Sequence, residues 1–203
     1  GTSHEIIRNG SVIIEGNEIR SIGTDRSQAA DRIIDAADKI VCPGFINLHV
    51  HSQLNIGDYL LSDVTKKDYL AANWFVFGAP LKDKIETPPA PAVAMGRKYA
   101  LYSALRNGAT TVLDPGGGSG AMDDYVAIVG QTGGRVYFSP AYRSHDIFTD
   151  AGGRHYYEER EDKGRPGLQR AVEFIKQFHG AHNGRLQGIL NPAQAETCEP
   201  SLL

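Results

Sequence analysis

A chain of 203 residues with a net charge of −3 and 41% hydrophobic residues can bury a core of its own, as one domain or one plus a small appendage. The 21 basic and 24 acidic side chains form no clustered basic face, which argues against nucleic acid as a partner. Cys42 and Cys198 make neither a disulfide framework nor a zinc-ribbon spacing, no apolar run reaches the ~18 residues that span a membrane, and no signal-peptide pattern opens the chain, so the expectation is a cytoplasmic globular protein.

The first forty residues are short branched apolar pieces separated by turns. EIIRNG (5–10), SVIIEGNEIRSIG (11–23) and RIIDAADKIVCPG (32–44) alternate as half-buried strands do, and Asn9-Gly10 and Gly16-Asn17 suit hairpin turns because both residue types accept positive φ. Residues 1–42 are therefore expected to form a small antiparallel sheet. After Pro43 the rhythm changes. GFINLHV (44–50) is an apolar run expected as a buried strand, followed by a long loop holding Trp74. PAPAVAMGRKYALYSALRNG (89–108) predicts a helix, with proline near its start and Gly108 just past its end.

ATTVLD (109–114) predicts a β-branched strand that runs into a glycine loop. A helix over 121–134, a strand over 135–142, a helix over 165–180 and a strand over 185–194 follow. Alternation of this kind predicts parallel pairing in βα units, four of them, within residues 43–203. In a barrel of such units the active site is built at the C-terminal strand ends.

One of those strand ends carries His49 and His51. Residues i and i+2 of a strand point to the same side of the sheet, so the two rings project together and can direct nitrogen lone pairs at one divalent ion. A chance H-x-H is more often two unrelated polar residues. Here the pair follows Pro43-Gly44 at the first strand after a small β-region, which favours the ligand reading.

Pro43-Gly44-Phe45-Ile46-Asn47-Leu48-His49-Val50-His51 resembles the signature of the amidohydrolase superfamily, in which the motif ends the first barrel strand. NGATTVLD (107–114) is similar to that family's second strand, and LNPAQAETCEPSLL (190–203) to the fourth-strand region of its cytosine-deaminase and triazine-hydrolase branch. The resemblance implies a partial (β/α)8 barrel preceded by part of a small β-sandwich, with the boundary at residues 42 and 43. It implies a hydrolase in which a metal-activated water attacks a carbon bearing a nitrogen or halide leaving group of a small molecule. His49 and His51 become metal ligands, and the cofactor becomes one divalent ion, zinc first, iron or another as the other options.

Two departures qualify what the resemblance implies. Leu186–Asn191 contains no lysine, which counts against the lysine-bridged binuclear branch and favours a mononuclear, deaminase-like one. The family's remaining ligands, a fifth-strand His and an eighth-strand Asp, are expected beyond Leu203, as are the catalytic residues. A catalytic zinc takes three protein ligands and an open position, so two histidines leave the chain incomplete. Assembly with a complementary chain, or as a homo-oligomer, is the corresponding alternative. A weaker option is a complete small protein with His49, His51 and His145 as an unrelated metal centre.

Gln53 and Trp74 lie in the loop after the pair, where relatives shape the substrate pocket. His145, with Tyr142 and Arg143 after the third strand, is a candidate for the pocket mouth, though a surface loop is the safer reading of that stretch; Gln194, past the fourth strand, is a further substrate-contact candidate, and Trp74 suits the core equally well. Asp114 reads either as a turn residue before Pro115-Gly116 or as a group that orients a ligand histidine from behind. The glycines after it lack the Lys-Ser/Thr ending of a phosphate loop, and Cys198 has no companion base, which suits a buried structural position.

Overall fold

The computed structural model describes residues 5–25, 27–52, 89–116, 122–149 and 154–203. Gln53 and Trp74 lie outside them. The chain divides into two compact units, Gly1–Pro43 and Gly44–Leu203.

In the first unit, β1 (Ser11–Glu15) and β2 (Glu18–Gly23) form an antiparallel hairpin. Gly16 turns it at φ 62°, a conformation that costs glycine little. The stretches 5–10 and 32–44 were expected as strands and are not. Ile6, Ile33, Ile34 and Ile40 stay exposed, since a branched apolar run becomes a strand only where a neighbouring edge satisfies its backbone.

The second unit is built on a four-stranded parallel sheet in the order β3-β4-β5-β8. Its strands are β3 (Phe45–Asn47), β4 (Ala109–Asp114), β5 (Arg135–Phe138) and β8 (Leu186–Gly188). Helices α1 (Ala90–Arg106), α2 (Met122–Thr132) and α3 (Arg165–Phe178) connect the series. Gly108 ends the α1 connection at φ 85°, where the sequence places a C′ glycine.

Register puts Val112, Val136 and Leu186 side by side on one face, and they pack with Leu101, Tyr125 and Phe174 from the helices. Burying such side chains stabilises each by ~1.5–3 kcal/mol, so this layer is the main store of stability. The opposite face, at Tyr137, is open among the described residues. Gly44 belongs to the sequence motif for a steric reason. A Cβ there would sit 2.1 Å from Thr110 Oγ1, so only glycine lets β3 start this close to β4.

Two expectations change. The run 44–50 was expected as a buried strand; β3 covers only Phe45–Asn47 and is exposed throughout. It is an edge of the sheet, paired with β4 alone, so nothing among the described residues covers Phe45, Ile46 and Leu48. His145, expected in a loop, falls in an antiparallel hairpin of β6 (His145–Thr149) with β7 (His155–Glu159).

Candidate metal-binding site

Beyond Asn47 the chain keeps its place beside β4, because Val50 N donates to Leu113 O at 2.9 Å. Extended backbone alternates its side chains, and here the alternation separates two jobs. Val50 packs against the helix-side core, while His49 and His51 meet each other. Their Nε2 atoms are 2.8 Å apart and their rings stand edge to face, 4.6 Å between centroids at 79°. Asn47 Oδ1 accepts from His49 N at 3.1 Å and fixes the turn into the pair.

Burial, helped by the neighbouring His49 and opposed by Asp114, holds the His51 imidazole below its ordinary pKa. The neutral ring is the form that ligates a metal. Two nitrogens on one tetrahedral zinc lie about 3.4 Å apart, given Zn–N bonds of ~2.0–2.1 Å. The observed 2.8 Å is about 0.6 Å short of that, so the two rings converge on one point and need part only slightly to share an ion. No group of three His, Cys, Asp or Glu side chains able to hold an ion occurs among the described residues. The option of a His49–His51–His145 centre is therefore not assembled.

Behind the pair lies a buried polar cluster. Asp114, fully buried, accepts at Oδ2 from Ser52 Oγ and, at 2.6 Å, from Tyr125 OH. Gly116 N reaches its Oδ1 at 3.3 Å, so the turn reading of Asp114 holds as far as it goes. Arg97, also buried, places its guanidinium 5.1 Å from the Tyr125 ring centroid and acts electrostatically on Asp114. Burial raises the Asp114 carboxyl; the Ser52, Tyr125 and Gly116 bonds and Arg97 pull the other way. Burial beside this carboxylate also pushes the Tyr125 phenol well up. Ser52, Tyr125 and Arg97 were not singled out from the sequence. The available signal was Arg97, a charge inside an apolar helix stretch, which needs a partner if buried.

The other candidates lie elsewhere. His145, half-buried on β6, faces the Tyr157 ring edge-on at 6.5 Å between centroids. Gln194 is exposed and caps a short 3-10 turn, its carbonyl accepting from Thr197. Tyr142 is buried in the core rather than at a pocket mouth, beside the buried Cys198. Arg143 is bound to Asp146.

No family model matches the chain. It is 26% identical over 197 residues to a 5'-deoxyadenosine deaminase of Methanosarcina barkeri, covering 97% of this chain and 40% of the relative. It is 28% identical over 203 residues to a 5-methylthioadenosine/S-adenosylhomocysteine deaminase of Thermococcus kodakarensis, covering 100% and 42%. Among solved structures, triazine hydrolase of Arthrobacter aurescens superimposes with a TM-score of 0.70 at 22% identity, over 95% of this chain and 43% of that one. The zinc-complexed atrazine chlorohydrolase of the same organism gives 0.60 at 18%, over 95% and 44%. The chain thus spans about two fifths of the curated relatives it matches. It is similar in sequence to these deaminases and in fold to the triazine and atrazine hydrolases.

Proposed function

We propose that this chain supplies the first metal ligands of a metal-dependent amidohydrolase that hydrolyses a deamination-type C–N bond of a small molecule. In this reading residues 43–203 are the first half of a (β/α)8 barrel, and residues 1–42 belong to a small β-sandwich. The observation that supports it most is the convergence of His49 Nε2 and His51 Nε2 at the end of the first parallel strand. The names of the relatives, which are deaminases of adenosine-type nucleosides and triazine hydrolases, favour an amino-substituted nitrogen heterocycle as substrate.

His49 and His51 would hold a divalent ion, zinc first, from one side. When bound, such an ion lowers the pKa of water towards neutrality and makes a nucleophile available at pH 7. This chain's residues contribute the rest in structural terms. Burial keeps His51 neutral and ready to ligate, and Val50 anchors the strand so that both rings face the same point. Further ligands and the acid–base groups would come from outside this chain's described residues. Metal analysis of the chain with and without His49→Ala and His51→Ala tests the reading, and unchanged metal content would contradict it.

A second reading is favoured by the exposed β3 edge: the half-barrel acts by assembly with a complementary or identical chain. Phe45, Ile46 and Leu48 are 65%, 66% and 71% exposed on a strand that, among the described residues, stands at the end of its sheet, a combination that invites pairing.

A further inference from the structure

We propose that the Ser52–Asp114 hydrogen bond is the clamp that sets the convergence of His49 and His51, with Tyr125 and Arg97 as the supports of Asp114. Its consequence for metal binding rests on the ligand reading given above. Three observations carry it.

Ser52 is the residue directly after His51, it is 1% exposed, and its hydroxyl donates to a carboxylate 62 positions away in the chain. Asp114 is the last residue of β4, the strand that pairs with β3, so the bond ties the chain just past the histidines to the adjacent strand end. Val50 is pinned as well, by its bond to Leu113 O and its place against the core. Fixed points at 50 and 52 bracket His51 and leave its ring only the opposite side, where His49 stands.

The support of Asp114 is independent of the histidines. Tyr125 comes from α2 and Arg97 from α1, so two helices hold the carboxylate in place from behind. Asp114 acts on the His51 ring through its charge and Ser52 acts on it through the backbone, so both are positioning residues. The link that matters is Ser52, whereas Tyr125 holds Asp114 and touches the Ser52 hydroxyl without joining the two strands itself.

The test compares Ser52→Ala with Tyr125→Phe in the 203-residue chain, each removing one buried hydrogen bond to the same carboxylate oxygen. Three quantities are read: the nuclear Overhauser contact between the His49 and His51 ring protons in metal-free protein, zinc affinity by chelator competition, and the thermal midpoint. Both variants should melt lower. Ser52→Ala should lose the ring contact and bind zinc about tenfold more weakly. Tyr125→Phe should keep the wild-type ring contact and zinc affinity. The proposal is overturned if Ser52→Ala keeps the ring contact, or if Tyr125→Phe loses it as fully at a matched fall in midpoint. Zinc binding that survives removal of both histidines would instead sink the ligand reading, while the ring-contact comparison still decides the clamp.

Discussion

His49 Nε2 faces His51 Nε2 across 2.8 Å, and the two rings meet edge to face. Without an ion, one nitrogen must donate and the other accept, which requires at least one specific tautomer. With an ion, both lone pairs turn to the same centre. In the proposed function the strand end stores an arrangement that a divalent cation would complete, provided the backbone beneath it holds still.

The most charged part of the second unit makes a stability prediction with a pH signature. Asp146 accepts from Arg143 at 2.5 Å and Lys163 at 2.9 Å, with Arg160 at 3.2 Å. Burial raises this carboxyl, but the Lys163 bond and the Arg143 charge and bond outweigh it and hold the pKa below 3.8. A carboxyl lowered by folding adds stability that is present above its unfolded value and is lost as pH falls through the folded one. Asp146→Asn should cost about 2 kcal/mol at pH 7, since charge-assisted bonds are worth ~1.5–3 kcal/mol and the cations are partly exposed. Urea unfolding should show the penalty shrinking below pH 3.8. A penalty of the same size at every pH would count against it.

Gly116 should tolerate no side chain. It sits at φ 71°, and a Cβ would lie 2.3 Å from Ser139 O and 2.9 Å from Ala141 N, both backbone atoms that cannot swing aside. Gly116→Ala should lose about 3 kcal/mol or more, from strain and overlap together. A midpoint within a degree or two of wild type would contradict this.

The exposed β3 edge should govern self-association. Ile46→Lys places a charge on an edge that, among the described residues, pairs with β4 alone, which discourages strand addition. Sedimentation velocity should show the substituted chain with less assembly than wild type. If the wild type sediments as a 22.0 kDa monomer at all concentrations, the assembly reading fails.

Legibility followed the physics of each segment. The helix over 89–108 and the strand 109–114 were readable because proline, terminal glycine and β-branching are local signals, and both elements stand there, as Ala90–Arg106 and Ala109–Asp114. The parallel order of the four strands followed from alternation with helices. The strands expected at 5–10 and 32–44 failed, because a period of two says nothing about whether a partner edge exists. The burial expected of Phe45 and Ile46 failed for the same reason. At the site, H-x-H was visible because strand geometry makes i and i+2 neighbours. Asp114 was visible only as ambiguous, and Ser52, Tyr125 and Arg97 not at all. Their meeting depends on residues far apart in sequence, and no local pattern encodes a bond across 62 positions.

The most direct measurement is zinc binding by the 203-residue chain, by metal analysis after dialysis and by chelator competition, with His49→Ala, His51→Ala and the double variant alongside. Wild type is expected to take up zinc, either single substitution to lower the affinity at least tenfold, and the double variant to bind none. Zinc uptake by the double variant equal to wild type would contradict it.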